Sequence, residues 1–313
     1  MLKHIIRRLL LAIPTLLAVF TVIFFIVRVA PGDPAAAVLG DNANQEAVEA
    51  LREQMGLNEP LWRQYVTFLT DLAQGDLGKS LISRQPISGQ ITSALPHTLE
   101  LTFAAIIIGL ILGVPVGVVT ALKQNRAPDY IGRIVSLIGL SLPSFYLGIL
   151  LIYFLAVKID LFPAVGTGDF SNPGDNLSHL FLPALTLGLI ETSYIARMTR
   201  SVMLNIMSDD YVRTARAKGL TEYVVLIKHA LRAGLIPIVS LVGIFAISLI
   251  GSSVLVEEVF VRPGLGKLMV GATKQKDYTA LQSIMVVYAT IIVLINLVTD
   301  LIYAYVDPRV RFS

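Results

Sequence analysis

The sequence predicts an all-α integral membrane protein with six transmembrane helices, both termini on the cytoplasmic side, and a small helical subdomain on the outer face. Three observations predict it. Of 313 residues, 55% are apolar and only 15% charged, a balance too apolar for an ordinary soluble globule. Six stretches approach or exceed the roughly 20 apolar residues that cross about 30 Å of hydrocarbon as helix. The bases gather in alternate connecting segments, as the positive-inside rule requires.

The first span covers 9–29. No small-residue cleavage site follows it, only "RVAPGDPAAA", so a retained helix is expected rather than a signal peptide. Segment 31–97 holds eight acids against four bases and belongs outside. Within it Val48, Leu51 and Met55, and then Leu61, Tyr65, Phe68 and Leu72, recur at helical spacing, with Gly56 as a stop between them. The single Trp62 can pack there or sit at the bilayer interface.

The second span, 101–122, carries Gly109, Gly113 and Gly117 four apart, a bare face that lets another helix approach. Pro115 removes a ladder donor and invites a kink. The third span is 134–157, after an inner loop with Lys123, Arg126 and Arg133 against Asp129. The fourth, 179–198, is opened by Pro183 and interrupted by Glu191. The fifth and sixth cover 235–255 and 283–305. The outer segment 158–178 has three acids and one base, whereas 197–232 has seven bases and three acids and belongs inside. The chain thus divides into 1–30, an external subdomain 31–97, and a core 98–313 with a cytoplasmic loop at 200–234.

Several chemistries are excluded or disfavoured. The chain has no cysteine, which removes disulfides, thiolate catalysis and cysteine metal sites. No HExxH, GxSxG or spaced histidine cluster occurs among its four histidines, so this chain is not expected to be an enzyme or to hold a metal or cofactor. A net charge of +3 indicates no nucleic-acid partner. "AQGDLGKS" at 73–80 nearly matches a phosphate-binding loop. It lacks the first glycine, follows helical rather than strand periodicity, and lies on the wrong face for ATP.

Three charges fall within spans. Glu191 would cost about 2.5–3.5 kcal/mol facing lipid as an anion, so it faces the bundle. It either lines a path for a cationic group or pairs with Arg197 or a neighbouring helix. Arg28 is expected to snorkel to the interface, and Asp300 to pair with a base such as Arg309.

The segment "SDDYVRTARAKGLTE", 208–222, is the polar exception. A short amphipathic helix over 211–218, stopped by Gly219 in a left-handed cap, would lie across the inner face. Its small residues Ala215 and Ala217 would admit a partner closely. Simple rest on anionic lipid is the plainer alternative.

This segment resembles the cytoplasmic loop of permease subunits of binding-protein-dependent ABC importers. Aligned on Gly219, the family's Glu-Ala-Ala falls on Arg213, Thr214 and Ala215, matching the third position but not the acid. Of the later Ile-x-Leu-Pro only Leu231 is kept. The departure is similar to the branch that imports dipeptides, oligopeptides, nickel and glutathione. So are "APGDP" at 30–34, "GDLGKS" at 75–80, "LPHTLEL" at 95–101, "SLPSFYLG" at 141–148, "VEEVFVRPGLGKL" at 256–268 and "DPRVR" at 307–311.

The resemblance implies a type I importer fold in the bacterial inner membrane. It implies a second related permease, two cytoplasmic ATPase subunits and an external solute-binding protein as partners. Asp209, Asp210, Tyr211, Arg213, Thr214, Ala215, Arg216, Ala217, Lys218 and Gly219 would form the coupling helix, with Asp209 and Asp210 supplying the acid that Arg213 replaces. The function implied is peptide import by alternating access, with nickel import as the alternative. An ion-coupled secondary transporter would need several intramembrane carboxylates, and Glu191 stands almost alone.

Overall fold

The computed structural model describes residues 2–29, 33–39 and 44–306. The motif at 307–311, part of that at 30–34, and Arg309 as a partner for Asp300 lie outside the described residues.

Among these residues the chain is helical, with one isolated bridge between Lys79 and Pro86 and no strand. In order come α1 (Leu2–Val29), α2 (Pro34–Leu39), α3 (Gln45–Gln54), α4 (Leu61–Ala73), α5 (Ile87–Leu122), α6 (Ala127–Ser141) and α7 (Ser144–Leu151). A π-helical turn, Ile152–Lys158, follows. Next are α8 (Pro173–Met207), α9 (Asp210–Ala217), α10 (Glu222–Val224) and a second π-helical turn, Val225–Leu231. α11 (Arg232–Val259), α12 (Leu265–Lys274) and α13 (Tyr278–Val306) complete the chain.

Among the described residues five helices are long and apolar enough to cross a membrane: α1, α5, α8, α11 and α13. The pair α6 and Ser144–Lys158 makes a sixth span if counted as one, but it is bent by 104°. The third span is therefore not the straight helix its hydropathy predicts. Leu142 precedes Pro143, whose ring disfavours helical backbone in the residue before it. Leu142 is accordingly extended, at φ −81° and ψ 127°, and the helix breaks there. α8 likewise begins ten residues before Pro183, because Asn172 caps it, accepting from the Asp175 amide at 3.3 Å, and Pro173 occupies the first turn. Pro183 lies inside the helix rather than opening it. α5 runs as one helix through Pro96 and Pro115.

The chain forms two compact units, one built on Leu99–Arg262 and the other on Ile6–Thr98 with Pro263–Leu294. In the first unit α8 packs against α6, α7 and α11, around a core that includes Leu101, Leu182, Leu187, Leu249 and Phe260. The glycine face of α5 lies against α8. A Cβ added at Gly109 would meet Glu191 Cβ at 2.8 Å, one at Gly113 would meet Ile195 Cβ at 2.8 Å, and one at Gly117 would meet Thr199 Cβ at 2.5 Å. Helices immersed in hydrocarbon gain little hydrophobic drive by meeting one another, so this close backbone approach supplies the van der Waals contact that joins them.

In the second unit Ile23 and Val27 of α1 pack with Tyr278 and Val286 of α13, and Phe68 and Leu72 of α4 join this cluster. Tyr65 completes the stripe through a 2.6 Å hydrogen bond to Thr21 Oγ1 and a ring contact with Phe24. Leu61, grouped with these residues by its spacing, is exposed instead, and so is Trp62, which carries the Arg63 guanidinium over its ring. Arg28 donates from Nε to Gln64 Oε1 at 2.9 Å and lies over the Phe24 ring, so α4 of the outer segment supplies its polar partner.

Candidate functional site

α8 ends at Met207, with Ser208 as its C-cap. The backbone turns extended at Asp209, whose carbonyl accepts from the amides of Val212 and Arg213 at 3.1 and 3.2 Å and closes the first turn of α9. Asp209 makes no side-chain cap, so its carboxylate and that of Asp210 remain available beside the positive end of the helix.

The other end of α9 is a Schellman closure. Gly219 takes φ +78°, its amide donates to Arg216 O at 2.9 Å, and the Leu220 amide donates to Ala215 O at 3.4 Å. A Cβ at Gly219 would meet nothing within 4 Å. Within this chain the glycine is thus favoured by its backbone geometry and not by crowding. Arg216 then ties the cap to the following turn through Glu222, with Nε 2.8 Å from Oε1.

One face of α9 is sealed and the other is open. Val212 is fully buried and Ala215 nearly so, packed with Val225 of the second π-helical turn and Ile206 of α8. Ala215 therefore serves docking onto this chain's own helices, not close approach by a partner as its size suggests. Only Ala217 keeps that availability. Asp210, Arg213, Thr214, Lys218 and Gly219 line the exposed side. The Arg213–Asp210 pair, 3.6 Å apart with side chains 74% and 98% exposed, contributes little to stability. Tyr211 is half exposed, and burial together with the Asp209 charge raises its phenol above the ordinary value. The turn beneath α9 runs without interruption into α11, so a displacement of α9 has a direct mechanical route into a membrane-spanning helix.

Glu191 is 4% exposed on α8, opposite Gly109. Its Oε2 has no hydrogen-bond partner, and no ion pair with Arg197 forms among the described residues. The carboxylate is inside the first unit, as the desolvation argument requires.

Sequence reasoning missed two charged clusters. Asp129, fully buried, receives Arg200 in a two-pronged contact, Nε to Oδ1 at 2.7 Å and Nη2 to Oδ2 at 2.9 Å. It also accepts the Asn125 amide at 2.9 Å, and Arg133 stands 3.5 Å away. The only signal was a lone acid in a basic loop. The second cluster joins residues far apart in sequence. Arg262, fully buried, donates to Glu100, which also accepts from Asn176 Nδ2 at 2.5 Å. Burial lowers the Arg262 guanidinium from its ordinary value, opposed by the charges of Glu100 and Glu257.

The phosphate-loop look-alike is occupied structurally. Helix α4 precedes it, Ser80 Oγ donates to Asp277 Oδ2 at 2.5 Å, and Lys79 lies in the bridge with Pro86. Neither a preceding strand nor an immediately following helix cradles an anion.

Comparison with known proteins places this architecture. Residues 113–312 match the family model described as binding-protein-dependent transport system inner membrane component, and residues 1–102 match its N-terminal counterpart. The chain is 41% identical over 333 aligned positions to the dipeptide transport system permease protein DppB of Alkalihalophilus pseudofirmus, with both chains covered completely. It is 39% identical over 313 positions to the glutathione transport system permease protein GsiC of Escherichia coli K12, again with full coverage of both. Among solved structures, a chain of the MetNI methionine ABC transporter superposes with a TM-score of 0.58 at 23% identity, covering 71% of this chain and 99% of that one. This last likeness establishes the fold.

Proposed function

The chain belongs to the family of binding-protein-dependent transport system inner membrane components, and from that premise we propose that it is the permease for peptides in an importer driven by ATP hydrolysed on partner subunits. The observation that carries the substrate class is the identity of about two residues in five, end to end, with permeases named for dipeptide and glutathione transport. Glutathione is itself a tripeptide, so both names share a ligand chemistry: a cationic amino group, carboxylates and amide bonds.

In this reading the exposed side of α9 is the contact with a cytoplasmic ATPase. Charge-assisted hydrogen bonds accepted by Asp209 and Asp210 and donated by Arg213 and Lys218 suit such a contact, because they are directional yet tolerate water at a moving interface. The buried side, Val212 and Ala215 on Val225, locks α9 to the base of α11 and converts a push on the loop into movement of a membrane helix. A second related permease completes the path, an external solute-binding protein delivers the peptide, and the pair alternates between outward and inward access. Glu191 contributes a carboxylate toward the cationic end of the peptide. Its isolation from any base among the described residues favours this over a structural ion pair.

Purification of the assembled complex with its binding protein, followed by mass spectrometry of the bound solute, tests the proposal. Recovery of ATPase subunits with a peptide in the binding protein is expected. A complex lacking ATPase, or a binding protein loaded with a free metal ion, would overturn it.

A further inference from the structure

A cavity of ≈ 380 Å³ lies in the first unit between α5, α6 and α8, in the end of the bundle that the distribution of bases places on the cytoplasmic side. Its lining is divided in character. Arg133, Arg197 and Arg200 supply three guanidiniums and Ser136 and Ser201 two hydroxyls, whereas Val116, Leu137 and Ala196 form an apolar wall. One guanidinium is neutralised, because Arg200 is committed to buried Asp129. Arg133 is only 3.5 Å from the same carboxylate, with a side chain 44% exposed, and its guanidinium also lies 4.6 Å from the Tyr130 ring centroid. Arg197 is exposed with no ion pair among the described residues. Three cations against one anion leave an excess of two positive charges around the space.

The scaffold is built rather than accidental. The Asp129–Arg200 contact fixes the start of α6 against α8, and the Thr120 side chain occupies the place that a Cβ on Gly132 would take, so α6 and α5 meet closely beneath the cavity. Next to Arg133 and Leu137 of the lining, α6 exposes Tyr130 and Ile134, apolar surface that adjoins the basic pocket.

We propose that this cavity binds the phosphate headgroup of an anionic phospholipid from the cytoplasmic leaflet, with an acyl chain lying along α6. Two guanidiniums in excess match a phosphate diester, and the hydroxyls offer further donors to its oxygens. A free aqueous anion would account for the arginines but not for the apolar wall or the apolar surface beside it. The site is independent of the peptide-transport reading. Lipid seated here bridges α5, α6 and α8, and so stabilises the end of the bundle from which α9 emerges.

The test is binding of phosphatidylglycerol to the purified full-length chain in neutral detergent, compared with phosphatidylcholine and with inorganic phosphate, read by thermal shift and by native mass spectrometry. Phosphatidylglycerol is expected to bind and stabilise selectively. At roughly 1 kcal/mol per base near an anionic lipid, Arg197→Gln should weaken it about fivefold and the double variant Arg133→Gln, Arg197→Gln about thirtyfold. Lys123→Gln with Arg126→Gln removes the same charge outside the cavity and should leave the affinity unchanged. Equal weakening by the control pair, or none by Arg197→Gln, would overturn the site. Inorganic phosphate binding as tightly as the lipid would overturn the lipid assignment. If the double variant does not fold, Arg197→Gln alone decides, since an exposed side chain without an ion pair is dispensable to the fold.

Discussion

At the scale of single residues, the charges that matter are those removed from water. Glu191 contrasts with Asp129: both are buried carboxylates, but Asp129 is met by a guanidinium and a backbone amide while Glu191 Oε2 has no hydrogen-bond partner among the described residues. A structural anion is built like the first. Glu191→Gln, which keeps size and much of the hydrogen bonding, should therefore lower peptide uptake severalfold while assembly and melting temperature stay near those of the parent. A large fall in melting temperature, or unchanged uptake, would return Glu191 to a packing role. Its burial was legible in the sequence from the cost of an unpaired carboxylate in hydrocarbon. The partners of Glu100 were not legible, because Arg262 lies 162 residues away and nothing local to either residue announces the other. The partner of Arg28 was not legible for a related reason: Gln64 sits on a helix whose docking onto α1 no hydropathy profile contains.

At the scale of elements, α9 was the most legible feature, since the polar run and Gly219 mark its body and its stop. The Schellman closure confirms the positive φ that the glycine implied. The direction of its faces was not legible. Ala215 turns inward because Val225 lies beneath it, and that depends on the π-helical turn, which has no clear local signature. The bend at Leu142 was legible in principle through Pro143, but a hydropathy window averages across it. The cap gives a sharp prediction. Gly219→Val holds a β-branched residue in a left-handed conformation at a cost of about 1–3 kcal/mol, while its Cβ meets nothing else in this chain. Gly219→Asn tolerates that conformation. Stimulation of ATP hydrolysis by loaded binding protein should fall in the valine variant and largely persist in the asparagine variant, with membrane insertion retained in both. Equal stimulation in the two would separate the cap from coupling.

At the scale of the whole molecule, composition and charge placement read the fold class, and the family model, the full-length relatives and the structural neighbour agree with a type I importer permease. The orientation follows from the excess of bases at 197–232. Because the chain has no native cysteine, Ser208→Cys should be labelled by an impermeant thiol reagent only after the membrane is opened; labelling in intact cells would invert the topology. The proposal that this permease passes peptides using ATP hydrolysed on partners is open to direct test by uptake of a labelled dipeptide and of glutathione into proteoliposomes holding the chain with its second permease and ATPases. Uptake of at least one of them is expected only when binding protein and ATP are both present, with ATP on the face where the ATPases lie, and with no response to an imposed ion gradient. Uptake driven by the gradient without ATP would contradict it.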